Sequence, residues 1–354
     1  MPFQALNLSS EEQKLIQRIN IQTSLLNKNN VTRTKAYLDF YQAHPEIHWA
    51  FLGHMVSRNG GWNMTDLRGD LLSGLLTKNE KKSYFAFLER GNWLIFQDAY
   101  PQFLLYEESL ARKKSLFYLL THFQVSTFME TIWNHFFLHQ DRFILTVALI
   151  INEQSYLEKR VVQHPVYKKE VFDTLEFKLQ DLFSFTHILF PYRKGGKVRL
   201  VGQVLRHFDS VNERIKLGKR LYSLLFQNKF QLHHCQKWAN SQPHTGSRQD
   251  YWPHLFHHVK EGVPSKGYQL RLYSCRIKPG AARFFSPELL FTWKDVAHPA
   301  AEAGDWFHDW QVIDYFKKKD QDENVDGEIE NEYCKAIENL ELANMAKKAL
   351  SILE

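Results

Sequence analysis

The sequence predicts a mainly α fold, an irregular multi-helix array with at most a short strand or hairpin near residues 266–278. Three observations lead there. Apolar residues recur at helical spacing along most of the chain, the pattern of helices that bury one face. Only 16 glycines and 11 prolines interrupt 354 residues, so long segments run without a breaker. No internal repeat organises the helices, which points to an irregular array rather than a solenoid. With 44% hydrophobic and 14% aromatic residues, the chain is able to bury a large core.

Taken in order, Ser9 and Glu12 have capping-box spacing and open a helix with Leu15, Ile16, Ile19 and Leu26 on its apolar side. Residues 27–30 break it, and a second helix starts near Thr32. His44 and Pro45 suit the cap and first position of a third, which Gly60 and Gly61 end. Asn63 or Thr65 then caps another helix with Asp66 in its first turn. Short helices follow, broken around 77–79, 91–92 and 100–101. Residues 104–123, 126–139 and 141–160 read as three helices, the last nearly apolar in its first half and hence central. From Pro165 the chain reads as helix to 191, then as a basic surface turn at 192–200 that lacks the spacing of a phosphate loop. Residues 203–230 read as helical, with Arg206, Arg214, Lys216, Lys219 and Arg220 on a basic face. Tyr268, Leu270, Leu272 and Ser274 alternate with other side chains, the period of a strand. Ser286, Pro287 and Glu288 open a helix carrying Leu289, Leu290, Trp293 and Val296 inward, and Asp305 opens another over 306–316. The expected organisation is one helical domain at 1–316, a charged linker at 317–327 and an amphipathic helix at 328–354.

Residues 44–69 are the densest run of aromatic, glycine and paired polar residues. Ile47, Trp49, Ala50, Phe51, Leu52, Met55 and Val56 cover most of one helix, yet His54, Ser57 and Arg58 share an arc of it. A buried guanidinium needs an acid, and the expected partner of Arg58 is Asp66 across a helical hairpin. Asp295, His298, Glu302 and Asp305 form a second polar group in 284–306. Carboxylates around an imidazole suit general acid–base work or a metal, and suit helix capping equally well. The two groups carry complementary charge and are expected to pack together. Either they floor a ligand pocket or active site, or they are a structural network.

With FFSPELLFTWKDVAHPAAEAGDW at 284–306, the 44–69 stretch resembles the bacterial family called domain of unknown function 2515, found mainly in bacilli and their relatives. The likeness covers most of the chain. It implies a bacterial, cytoplasmic protein and brings no catalytic residues with it.

Charge and cysteines narrow the classes. No apolar run reaches the length of a membrane span, and the N-terminus lacks a signal-peptide pattern, so a cytoplasmic protein is expected. A net charge of +6 is mild and the basic residues are interleaved with acids, which argues against nucleic acid. Cys235, Cys275 and Cys334 are far apart and odd in number, which predicts neither a disulfide framework nor a thiolate zinc site. Histidines at 233, 234, 244, 254, 257 and 258 fit no standard zinc spacing. No cofactor or metal is expected. Two readings follow: a small-molecule or enzymatic pocket formed by 44–69 and 284–306, or a binding scaffold using the basic 203–220 face or the C-terminal helix as a partner surface.

Overall fold

Side-chain caps set most of the helix starts in the computed structural model, which describes residues 8–172, 186–205, 207–261, 270–317 and 327–353. α1 (Ser10–Leu26) begins with the expected Ser9–Glu12 capping box. α2 (Asn30–Ala43) begins with a second box, Asn29 with Thr32. α3 (His48–Asp66) has no side-chain cap. It also does not stop at Gly60 and Gly61, as the sequence reading expected, but runs unbroken through them. A Cβ on Gly61 would lie 2.5 Å from His244 Nε2 and nearer still to Asn30 Oδ1. These glycines therefore serve close approach rather than a left-handed cap.

α4 (Lys78–Arg112) is capped by Thr77 and Glu80 and continues for 35 residues, through the supposed breaks at 91–92 and 100–101. An interior proline costs about 3 kcal/mol. Around Pro101 the buried Phe96, Phe103, Leu104 and Leu105 outweigh that, at roughly 1.5–3 kcal/mol for each side chain taken from water. The helix ends at a left-handed Lys113, and a separate 3-10 turn covers Phe117–Phe123, so 104–123 is not one helix. α5 (Thr127–His139) is capped by Ser126 and α6 (Arg142–Leu157) by Asp141. α6 is central, with Leu145 to Asn152 buried in succession, and π-helical turns continue it to Val162.

A hairpin, not helix, occupies the next stretch. β1 (His187–Lys194) pairs antiparallel with β2 (Lys197–Val204). Gly195 and Gly196 form its two-residue loop, with φ of +57° and +74°. That is the type I′ geometry matching the twist of a hairpin. The expected helix over residues 165–191 survives as a short turn at Pro165–Tyr167 and a π-helical turn at Lys168–Phe172; residues 173–185 lie outside the described part. α7 (Val211–Phe226) and α8 (Lys229–Ser241) follow, capped by Ser210 and Asn228. β3 (Phe256–His257) pairs in parallel with β6 (Phe284–Phe285), while β4 (Leu272–Tyr273) and β5 (Arg276–Ile277) make the short hairpin expected in that region. Residues 266–269 of the strand-like run are outside the described part.

Helix after Ser286 is limited to Leu289–Thr292, with Leu289 buried but Leu290 and Val296 exposed. The chain then runs without regular structure to a 3-10 turn at Trp310–Ile313, so no helix spans 306–316. Most of the charged 317–327 stretch is outside the described residues. α9 (Glu330–Leu353) lays Tyr333, Ile337 and Leu340 into the body, and Ile329 just before it is buried as well. α3 is the hub of the architecture, packing against α2, α4, α6, α7 and β1. Among the described residues no helix is long and apolar enough to cross a membrane.

Candidate functional site

His54 and Arg58 are neighbours, as one helical turn requires, but Asp66 is not their partner. Arg58 Nε donates to His54 Nε2 at 3.0 Å, and His54 Nδ1 lies 2.8 Å from the Thr34 carbonyl. This fixes the neutral tautomer with hydrogen on Nδ1. Burial, then the Arg58 charge, pushes His54 well below its ordinary pKa. Both ring nitrogens of His54 are therefore engaged. The rest of the Arg58 guanidinium donates to the carbonyls of Ala239, Gln242 and Pro243 and stacks 4.5 Å from the Trp238 ring. It caps the C-terminus of α8, where the helix dipole supplies the negative end in place of an acid. Burial lowers Arg58 to about 10, so it stays charged at neutral pH.

Asp66 belongs to a different network. It accepts from Arg248 Nε and Nη2 at 2.6–2.9 Å. Arg248 Nη1 donates to the hydroxyls of Tyr251 and Tyr333, each at 2.7 Å. Burial alone would depress the guanidinium; Asp66 overrides that and holds it well above its ordinary value. Because Tyr333 comes from α9, the network ties the C-terminal helix to α3. The sequence reading missed Arg248, whose only local signal is its place after Ser247.

The second polar group is a strap across α4, α5 and α6. Asp295 accepts from Asn29 at 2.9 Å. His298 stands 3.5 Å from the Glu89 carboxylate and against Trp93. Glu302 contributes its backbone carbonyl to Arg160, while its side chain is exposed. Asp305 accepts from the Thr127 amide and hydroxyl, so it caps α5 rather than a helix of its own. The two motifs do touch, through Trp293 Nε1 donating to the Met64 carbonyl at 2.9 Å and Arg68 over the Trp293 ring. Among the described residues their ionisable groups take separate partners: Arg58 the α8 carbonyls, Asp66 Arg248, Asp295 Asn29, His298 Glu89 and Asp305 Thr127. The basic 203–220 face is divided, with Lys216 and Arg220 partly exposed but Arg214 and Lys219 turned into the body. It begins in β2, Arg214 and Lys219 are buried, Arg214 pairs with Glu158 and Lys219 donates to the Tyr315 carbonyl. Arg206 is outside the described residues.

Cys275 and Cys334 are disulfide-bonded with Cα atoms 5.5 Å apart, contrary to the expectation from their spacing. α9 folds back on the β4–β5 hairpin and closes the 59-residue separation. Cys235 is free and buried. The histidines are scattered: His244 is in the core bonded to Asn30, while His257 turns back on its own loop. Among the described residues no group of three His, Cys, Asp or Glu side chains is placed to hold a metal ion.

The structure instead holds a cavity of about 230 Å³ between α2, α3, α4, α6, α7 and β1. Its walls are mainly apolar, among them Leu52, Val56, Leu88, Ile95, Ile150, Leu217 and Leu221. At a volume above the roughly 150 Å³ of an apolar cavity that admits benzene, it has room for a small ligand. It is below the roughly 300–1,000 Å³ usual for drug-sized ones. Polar groups reach it too: Arg33, Tyr37, Ser57, Asn92, Glu153, Gln154 and Arg214. Glu153 accepts from Gln154 at 2.8 Å, and Gln154 accepts from Arg214 at 2.9 Å. Burial, then the nearby Asp98 carboxyl, raises Glu153 to about 8, so it is mostly protonated at neutral pH.

The family described as "Protein of unknown function (DUF2515)" matches residues 25–334. The chain belongs to that family. Every cavity-lining residue falls inside the matched span. "Uncharacterized protein YppC" of Bacillus subtilis (strain 168) is 45% identical over 237 residues, which are 67% of this chain and 73% of the relative. No solved structure matches. Of the stretches singled out from sequence, 44–69 lines the cavity with Trp49, Leu52, Gly53, Val56 and Ser57, whereas 284–306 contributes nothing to it. Arg33, Tyr37, Gly91 and Glu153 were missed. A signal was present in Gly91, a helix-interior glycine that reads as a break but breaks nothing.

Proposed function

We propose that this DUF2515-family protein binds a small, mainly apolar molecule in the cavity between α3, α4, α6 and α7. What carries the reading is Gly91. It lies inside a continuous helix, where glycine costs about 1 kcal/mol relative to alanine. A Cβ there would meet nothing within 4 Å, so no protein neighbour demands the glycine. It lines the cavity, and a Cβ there would project into open space. The buried polar groups along one wall fit a ligand with a polar end, and the aliphatic remainder fits an apolar body.

Cyclohexane is a suitable probe, since its size is close to that of benzene. Saturating cyclohexane raises the melting temperature of the wild type, because a ligand bound only to the folded state stabilises it. Gly91→Leu fills the cavity, melts no lower than the wild type and loses the response. No shift in the wild type, or an equal shift in both proteins, overturns the proposal.

A further inference from the structure

We infer that the ligand presents an uncharged carbonyl-type oxygen to Arg33 and Tyr37, which rests on the reading of the cavity as a ligand site. Both residues come from α2, four positions apart and so adjacent on its surface. Both line the cavity, at 1% and 3% exposure. Arg33 gives Nη2 to Glu89 at 2.6 Å and Nη1 to Asn27 at 3.2 Å. Among the described residues its Nε–H has no partner, and neither has the Tyr37 hydroxyl. Buried donors are satisfied in the great majority of cases, so two unpartnered ones on residues that line the cavity leave a demand for an acceptor that a ligand would meet.

The chemistry of the two atoms selects the head group. An arginine Nε only donates, so a ligand ammonium would leave it unpaired. An acceptor oxygen suits both donors. Full negative charge on that oxygen is disfavoured, because the Glu89 carboxylate at 2.6 Å already matches the Arg33 charge. A protonated Glu153 offers a further donor to a neutral carbonyl. The remaining walls are aliphatic and ask for a hydrocarbon body.

Cyclohexanone, cyclohexane and cyclohexylamine share one ring and differ only at the head, and their dissociation constants are measurable by ligand-observed NMR. Tyr37→Phe removes one oxygen that bonds nothing among the described residues, and its melting curve confirms that it folds. The expected result is that Tyr37→Phe weakens cyclohexanone about fivefold to tenfold, the loss of one buried hydrogen bond, and leaves cyclohexane unchanged or tighter. Equal effects on both ligands, or none on cyclohexanone, overturn the carbonyl assignment while the cavity reading stands. Binding of cyclohexylamine in preference to cyclohexanone overturns it in the same way. If cyclohexane itself fails to bind, the cavity reading falls and the assignment with it.

Discussion

Asp66→Ala is the sharpest perturbation of the structural half of this account. Arg248 spends every N–H it has: Nε and one Nη2 hydrogen on Asp66, two Nη1 hydrogens on Tyr251 and Tyr333, and the last on Asn63 Oδ1 at 3.3 Å. Both Asp66 and Arg248 are buried, at 2% and 1% exposure, so water cannot replace the carboxylate. Removing it leaves a guanidinium in the core with neutral partners alone, at a cost of about 3–5 kcal/mol. That is a large share of the about 5–15 kcal/mol by which domains are stable. Urea denaturation followed by far-ultraviolet circular dichroism reads the effect as a lower midpoint at unchanged slope. Replacing both partners with apolar residues, Asp66→Leu with Arg248→Met, recovers most of the loss, because no charge is stranded. A midpoint for Asp66→Ala within about 0.5 kcal/mol of the wild type would refute the reasoning.

Other consequences follow from the same geometry. Gly61→Ala drives a methyl into the Asn30–His244 hydrogen bond and lowers stability by about 1–3 kcal/mol, the cost of overpacking; an unchanged melting temperature contradicts it. Glu153 sits at about 8 in the folded protein against an ordinary 4.5, so the folded state holds that proton more tightly. Its contribution is fully present below about 4.5 and is lost as pH rises towards 8, so Glu153→Gln gains stability relative to wild type across that window. A difference constant over the whole range rules this out. Thiol titration of the unfolded, unreduced protein finds one reactive cysteine, Cys235; three would show that Cys275 and Cys334 are unpaired. In the oxidised protein, Cys334→Ser lowers stability by up to about 4 kcal/mol through the loop it opens, and the difference vanishes in reductant.

Helix starts were legible because a cap is a local signal. Ser9 with Glu12 and the hydroxyl of Ser126 each act within three residues of the helix they open. Breakers were read less well, since a glycine or proline reports only a local cost that packing overrides. Gly60 and Gly61 make room for Asn30 and His244, and Pro101 is held by the core around it. The mistaken Arg58–Asp66 pair follows directly. On one continuous helix the two residues are eight positions, roughly 12 Å, apart along the axis. The β1–β2 hairpin carried its own signal, Gly195-Gly196 between apolar runs, which was outweighed by the surrounding helical pattern. Long-range partners were invisible: Arg248 for Asp66, the α8 carbonyls for Arg58, and Cys334 for Cys275. The cavity is the extreme case, because Arg33, Leu52, Gly91, Glu153 and Leu217 converge from five helices with no common spacing.

Crystals soaked in cyclohexane test the central claim most directly. The account predicts ordered density for the ring bounded by Leu52, Gly91, Ile150 and Leu217, and none at that place in Gly91→Leu. A wild-type cavity that stays empty in saturated cyclohexane, or is found closed by its own side chains, would contradict it.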